Sequence, residues 1–531
     1  MNKLEKILII TSAAYVSSEL QAEFGFIPPS FLPLGNKRLF KHQIEKFSAS
    51  TSRIILSLPM DFEVNSEDLD FLLKNKIEIV HVPNNLSLGN SLVYVINICA
   101  ISGKPVSILH GDTLLYGLDL ISTDVVSIDS IAPSDYQWGH VRVNNSGTVD
   151  FPKDENNAVL TGYFCLNNAS MFVQALTLAE GSFIEGLSRY ALNYPLRKIS
   201  SDTWYDFGHI GTYHRSRQAI TTERSFNLLH AEKRVVTKSS TNDLKIEAEA
   251  MWFKNLPEKL RIYTPQFLGL EKTNSYSYSI EYLYLPTLTD LYVFGKLSPS
   301  AWGKIFSSCD ELLTELVKFK SLKKDTHATK EIYLTKTINR LEEFSKSTGI
   351  SLDKDCIYSG KKLPSLRKIV ELTSDVLIKN EGTEESLIHG DFCFNNIFYD
   401  VKSNLVKVID PRGLDFKNSF SSYGDKRYDI GKLHHSVVGF YDHIVCGYFK
   451  LKKDGDLNYS IELPNNEYYK KIFDVFNQSI FAGKTASESN AELISVLLFL
   501  SMLPLHSDDL NRQNAFLANA LRLFSEYGNK I

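Results

Sequence analysis

His389-Gly390-Asp391-Phe392-Cys393-Phe394-Asn395-Asn396-Ile397-Phe398-Tyr399, followed by Val406-Lys407-Val408-Ile409-Asp410-Pro411-Arg412-Gly413, is the densest stretch of chemistry in the chain. It offers one carboxylate at the start of a loop, an amide five residues on, and a second carboxylate at the end of an apolar strand. That set suits phosphoryl transfer. A metaphosphate-like transition state needs its nucleophile oriented by a base, here Asp391, and its charge spread onto magnesium, which hard oxygen ligands such as Asn396 and Asp410 can hold. Turn formation would account for each Asp or Asn singly. It does not account for H-G-D, Asn and a strand-ending Asp arriving in that order.

The rest of the composition is that of a folded chain. At 531 residues and 43% hydrophobic content, two to four domains with sizeable cores are expected. A formal charge of −4 gives no general electrostatic surface for nucleic acid or membrane, so an anionic ligand must be met locally. The six cysteines are widely spaced with no C-x-x-C pair, which suggests reduced thiols and neither a zinc site nor a disulfide framework. Residues Lys3 to Val16 superficially imitate a signal peptide, but Ile7-Leu8-Ile9-Ile10 reads better as a first strand. The longest apolar run, Leu493 to Leu503, contains Ser495 and Ser501 and is too short to span a bilayer. A cytoplasmic location without membrane insertion is therefore expected.

The residues HGDFCFNNIFYD and VIDPRG resemble the aminoglycoside phosphotransferase and choline kinase family, which has a bilobal protein-kinase-like α+β fold. The resemblance implies that Asp391 is the catalytic base, that Asn396 and Asp410 bind Mg2+, and that His389 is a structural member of the loop. Tyr423-Gly424-Asp425-Lys426-Arg427-Tyr428-Asp429-Ile430 is similar to the family's G-D-P-x-x-D-L segment, with Lys426 where Pro is usual, and Asp429 is expected to brace the catalytic loop. Upstream lie two strand-like runs, Arg224 to His230 and Lys233 to Ser240, then a helical stretch from Lys245 to Phe253 that ends at Leu256-Pro257. In the kinase-like fold a strand lysine reaches the nucleotide phosphates and pairs with a glutamate on the next helix. Lys238 fits the first role and Glu249, rather than Glu247, the second. No glycine-rich loop precedes them. Tyr278 to Leu285 is similar to the strand and hinge joining the kinase lobes, which sets Glu281 to Tyr284 against the ATP base. Helical stripes follow at Trp302, Ile305, Phe306, Cys309, Leu312 and Leu313 and at Leu366, Ile369, Val370 and Leu377, with packed C-terminal helices at Leu493 to Leu503 and Ala515 to Phe524. His434, His435 and His443 near Asp442 read as ordinary core or surface histidines rather than metal ligands. Arg412 and Asp415, just past Asp410, are candidates to touch substrate, though Arg412 is equally a candidate for a structural pair.

From residue 1 to about 215, short apolar runs alternate with helical patterns. Ile7 to Ile10, Ile54 to Leu58, Ile77 to Val82 and Val106 to Leu109 read as buried strands, and Leu39 to Phe47 and Ser91 to Ile101 as helices. This alternation predicts an α/β unit with a mixed, mostly parallel sheet. Ligands of such sheets sit at the carboxyl ends of strands, where His110-Gly111-Asp112-Thr113 puts Asp112. A second carboxylate comes in Trp204-Tyr205-Asp206-Phe207-Gly208. Together the two motifs resemble the sugar-phosphate nucleotidyltransferases, whose domain is Rossmann-like (GT-A-like). In that family two aspartates hold the magnesium that bridges NTP and acceptor phosphates, so Asp112 and Asp206 inherit those roles. Phe31 to Leu39 is similar to the family's L-P-x-x-x-K-P-L segment. Leu88-Gly89-Asn90-Ser91 is similar to its G-T-A loop, implying nucleotide contacts at Gly89 and Asn90. Tyr136 to Val143 with Leu160 to Phe164 is similar to its acceptor-site hairpin and strand. The family's glycine-rich first loop is replaced by Ser12-Ala13-Ala14-Tyr15-Val16-Ser17-Ser18. Two readings stay open: phosphates held by Ser12, Ser17, Ser18 and the following helix start, or a domain that has lost turnover.

The boundary is expected near residue 218. Residues 1–218 would form the nucleotidyltransferase-like domain and 219–531 the kinase-like one, its smaller lobe ending near 285. The resemblances imply a bifunctional enzyme. ATP would phosphorylate a hydroxyl of a sugar or an amino alcohol such as choline, and a second NTP would then be condensed with the product for bacterial capsule or surface-polysaccharide synthesis. The rivals are a kinase with a degenerate, nucleotide-binding N-terminal domain and a wholly non-catalytic scaffold.

Overall fold

The structure is a computed structural model that describes residues 6–120, 122–130, 138–152, 157–222, 228–232, 234–273, 275–322, 328–379, 385–415 and 417–530. The chain divides into two compact units, Met1–Thr221 with Phe294–Lys296, and Thr222–Val293 with Leu297–Ile531.

The first unit is α/β and built on a mixed sheet. Seven of its nine described strands run in the order Val149–Asp150, His140–Val143, Ala158–Leu166, Val106–His110, Ile7–Thr11, Arg53–Pro59, Glu78–Val82, and Val125–Ser130 pairs with both Ala158–Leu166 and Arg197–Ile199. The central run is parallel: Ile9 lies opposite both Ile55 and Ile108, and Leu56 opposite Ile79. Ile7 to Ile10 are all buried. Such a run reads as continuous apolar sequence because helices cover both faces of a parallel strand. Ala158–Leu166 reverses direction against Val106–His110. The helix Leu39–Phe47 begins and ends where its apolar periodicity does. The next predicted helix starts earlier than Ser91, at Leu88, because the Ser87 hydroxyl accepts the N–H of Asn90 (3.2 Å) and caps it. Ile210–Thr222 forms a single helix. Residues 1–5, Tyr136 and Gln137 of the expected hairpin, 223–227 and Lys233 lie outside the described residues.

The second unit opens with an antiparallel sheet in the order Leu228–Glu232, Val235–Ser239, Tyr276–Glu281, Phe267–Lys272. Between its second and third strands in sequence runs the helix Asp243–Asn255, capped by Asn242, whose side chain accepts the N–H of Lys245 (3.1 Å). Of the stretch read as strand and hinge, the strand is Tyr276–Glu281. A largely helical body follows, including Pro299–Leu316, Leu366–Lys379, Arg427–Val437 and Leu510–Tyr527. Its core is centred on Ala491–Ser501, every residue of which is buried. That explains why its sequence is apolar all round rather than on one stripe. A second four-stranded sheet, in the order Lys361–Ser365, Asp355–Tyr358, Asn458–Glu462, Lys450–Lys453, was not foreseen. Its strands come from segments about a hundred residues apart and carry no long apolar run.

Candidate active sites

In the second unit the loop after Leu387 is fixed from behind. Asp429, one turn into the helix Arg427–Val437, accepts the backbone N–H of His389 and of Gly390 (both 2.8 Å). Burial lifts its pKa to about 7, against the pull of those two donors. His389 is buried; its Nε2 lies 3.0 Å from the Ile409 carbonyl, and burial drives its pKa down to about 4, so it is neutral. Trp252 donates its indole N–H to the Ile388 carbonyl (2.9 Å). Gly390 has φ +79°, and a Cβ there would stand 2.7 Å from Cβ of Arg412. No other residue type allows this turn at that packing distance.

The expected residues make two sets of contacts, Asp391 with Asn396 and Lys238 with Glu249 and Asp410. Asn396 donates Nδ2–H to both the main-chain oxygen and Oδ2 of Asp391 (3.0 Å each), which keeps its Oδ1 carbonyl out of these bonds. The hairpin of Ile397–Asp400 and Leu405–Val408 carries the chain from Asn396 to Asp410. Asp410 sits at φ +56°, a left-handed conformation that Asp tolerates better than most residues. Lys238 Nζ lies 2.7 Å from Glu249 Oε2 and 2.9 Å from Asp410 Oδ1. Burial works against the lysine's charge, yet Asp410 and Glu249 together hold its pKa above the ordinary value. Tyr278 donates its hydroxyl to the same Glu249 oxygen (2.9 Å). Glu281 is turned to the neighbouring strand, where it accepts the N–H of Gln266 (3.2 Å), and Tyr284 is more than a third exposed, with its ring against Tyr282.

Lys432 was not foreseen. It lies one turn after Asp429 on the same helix face, and its Nζ is 2.8 Å from Asp391 Oδ1. Burial would raise the Asp391 pKa, but Lys432 overrides it and brings it down to about 2. The i, i+3 spacing from Asp429 was the available signal. The histidines near Asp442 are core residues. His434 Nδ1 meets Ser495 Oγ and His443 Nε2 meets Tyr469 OH (2.8 Å each), while His435 is stacked between Tyr441 and Phe499.

In the first unit, Asp112 follows the strand Val106–His110 and Asp206 ends Thr203–Asp206, which pairs antiparallel with Thr113–Tyr116. Phe207 N–H donates to the Asp112 main-chain oxygen (2.9 Å) and Gly208 N–H to Asp206 Oδ1 (3.2 Å). The two carboxylates flank Gly208: a Cβ there would stand 2.7 Å from Asp112 Oδ2 and 3.4 Å from Asp206 Oδ1. Both pKa values are raised, by burial first and, for Asp206, by the charge of Asp112 next. Asp206 Oδ2 is buried with no hydrogen-bond partner among the described residues. A buried, partnerless carboxylate oxygen beside a second carboxylate is a donor set that a hard dication fits. No cluster of three or more His, Cys, Asp or Glu stands ready to enclose a metal among the described residues, so phosphate or water oxygens would complete the shell.

A cavity of about 110 Å³ lies over the first loop, lined by Thr11, Ser12, Ala14, Leu88 and Ser91 among others. Ser12 itself is turned inward: its Oγ accepts the N–H (3.0 Å) and hydroxyl (2.7 Å) of Ser30, and its N–H donates to Ser57 Oγ (3.1 Å). Ser17 caps the short helix Ser18–Phe24 without a side-chain bond. Gly89 is buried and Asn90 exposed at the start of Leu88–Ile98.

No family model and no curated protein matches the chain. Among solved structures it is similar to a UTP-bound UGPase from Acinetobacter baumannii, at 14% identity and a TM-score of 0.33, over 42% of this chain and 95% of that one. It is similar to the inositol-1-phosphate CTP transferase from T. maritima, at 12% and 0.32, over 42% and 98%. HddC from Yersinia pseudotuberculosis matches at 15% and 0.30, over 41% and 100%. These likenesses fall in the N-terminal part of the chain.

Proposed function

We propose that the second unit transfers the γ-phosphoryl group of ATP to a hydroxyl of a small molecule, a sugar or an amino alcohol, and that the first unit joins the phosphorylated product to a nucleotidyl group from a second NTP, with release of pyrophosphate. The product would be an NDP-activated precursor for a surface polysaccharide such as a capsule. The observation that carries the first half is Lys238 held between Glu249 and Asp410 at 2.7 and 2.9 Å. A buried cation fixed by a helix glutamate and set against a metal-binding carboxylate is the arrangement that positions polyphosphate in kinase-like sites. Mg2+ bound by Asn396 and Asp410 would neutralise charge on the transferred group. Asp391 orients the hydroxyl. As the oxygen closes on Pγ and the bond to ADP breaks, the hydroxyl proton passes to Asp391. A base whose pKa lies near 2 suits a loose transition state, in which that proton stays on the nucleophile until late.

The second half is supported by the carboxylate pair at Gly208 and the partnerless oxygen of Asp206. There Mg2+ would bridge NTP and acceptor phosphates. A second reading, in which the first unit binds a nucleotide without turning it over, is favoured by the engagement of Ser12 with Ser30 and by a first loop without glycine before Gly25. Phosphorus NMR of the full chain with ATP, each NTP and a panel of sugars and amino alcohols separates them. Pyrophosphate that vanishes in Asp112→Ala supports the bifunctional enzyme. Phosphorylation without pyrophosphate supports the second reading, and no magnesium-dependent ATP turnover at all removes both.

A further inference from the structure

A cavity of about 250 Å³ in the second unit adjoins the catalytic loop. Its cations are Lys336, Arg340 and Arg412, and its neutral polar groups include Thr335, Asn339 and Asn418. Two acids, Glu331 and Glu343, also line it. Glu343 is 63% exposed and 3.9 Å from Arg340, an ion pair too open to cancel the charge. Lys336 begins the helix Lys336–Thr348 directly after the π-helical turn Glu331–Thr335, an irregularity found often at functional sites.

Two contacts tie this cavity to the reacting centre. Arg412 packs on Gly390, the residue before Asp391. Lys336 Nζ donates to Tyr428 OH (3.2 Å), and Tyr428 lies one turn before Lys432, which holds Asp391. Cationic neighbours act on both partners of that bond. Burial lowers the Lys336 pKa to about 8, and Arg412 and Lys432 push it the same way. Burial should raise the Tyr428 phenol, but Lys336, Lys432 and Arg412 pull it below its ordinary value instead. A volume equal to roughly eight waters suits a molecule of three to six carbons.

We propose that this cavity is the acceptor subsite and that it takes a small hydroxyl compound bearing an anionic group, a carboxylate or a phosphate ester, gripped by Lys336, Arg340 and Arg412 with its hydroxyl toward Asp391. The proposal rests on the kinase reading and narrows it: a choline-like cation is repelled. In the transfer the acceptor oxygen gains Pγ, ADP leaves with the bridging oxygen, and the proton goes to Asp391.

The test uses the full chain and matched acceptors: glucuronate against glucose, glycerate against glycerol, glucose 6-phosphate, and choline. Calorimetric titration should show at least one acid binding ten-fold or more tighter than its neutral counterpart, and the carboxylate and phosphate arms tell which anion is meant. Magnesium-dependent ADP release should favour the same acid. Lys336→Gln, and Arg340→Gln at a more exposed position, should raise KM for that acid at least ten-fold while kcat at saturation moves less than three-fold. Equal or better binding of glucose, glycerol or choline overturns the proposal, as does failure of every acid to bind or unchanged affinity in both variants. Calorimetry needs no turnover. Acids that bind without being phosphorylated therefore count against the kinase reading, whereas phosphorylation of glucose or choline in preference to the acids counts against the subsite alone.

Discussion

The two candidate centres handle their carboxylates in opposite ways. Asp391 and Asp410 are each in contact with a lysine, Lys432 and Lys238, so the second unit supplies its own counter-charge. Asp112 and Asp206 face each other across Gly208 with no lysine or arginine paired to them among the described residues, and burial raises both pKa values. A site of the first kind is balanced before ligands arrive, and a metal on Asp410 would displace a lysine contact. A site of the second kind is incomplete until a cation enters.

The largest effect expected is at Asp391. Asp391→Asn removes the proton acceptor and should cut phosphoryl transfer by roughly 10²- to 10⁴-fold, measured as magnesium-dependent ADP release, with pyrophosphate release from added acceptor phosphate unchanged. Asp206→Asn should do the converse, lowering pyrophosphate release by about 10²- to 10³-fold while ADP release persists. If either substitution silences both reactions, the two centres are not independent.

The contrast also predicts opposite responses to pH. A carboxyl whose folded pKa is raised binds more protons folded than unfolded, so stability falls as pH rises through that folded pKa. For Asp112 and Asp206 the penalty is therefore fully present above their folded pKa values, and a divalent ion relieves it. Asp206→Asn should raise the melting temperature in EDTA near neutral pH, and magnesium should stabilise the parent more than the variant. For Asp391, lowered to about 2, the sign reverses: its contribution is present above the ordinary aspartate pKa and lost as pH falls toward 2. Replacing Lys432 by Met removes the main cause of that depression. The acid limb of kcat/KM for phosphoryl transfer should then move up by about two units into the ordinary carboxylate range, whereas a merely structural lysine would lower the rate without moving the limb.

Much of this was legible in the sequence where chemistry or burial fixes residue type. Ile7 to Ile10 read as a central strand because both faces are covered; Asp391 and Asn396 are hydrogen-bonded to each other, and one hairpin leads from Asn396 to Asp410, which is paired with Lys238. What escaped reading depended on partners far along the chain. Lys432 and Lys336 look like solvated helix lysines until the fold brings them to Asp391 and Tyr428. The sheet containing Asp355–Tyr358 and Asn458–Glu462 pairs segments in which the alternation lasts only four or five residues, too short to stand out, and whose partners lie about a hundred residues apart. Ser12 could be read only as a hydroxyl near a strand end. Whether it faced ligand or core was set by Ser30, eighteen residues away.

That last residue gives the smallest and sharpest test of the contrast. If the first unit relies on an incoming cation rather than on its own first loop to hold polyphosphate, Ser12 is a structural tie. Ser12→Ala would then leave the N–H of Ser30 buried without its acceptor, a loss of about 1–3 kcal/mol, readable as a lower denaturant midpoint. KM for the NTP should move less than about three-fold, since the hydroxyl already accepts both Ser30 donors and Ser12 as a whole is buried. A ten-fold rise in that KM with stability unchanged would instead put Ser12 on the phosphates, and the first loop would have to turn its hydroxyl outward when nucleotide binds.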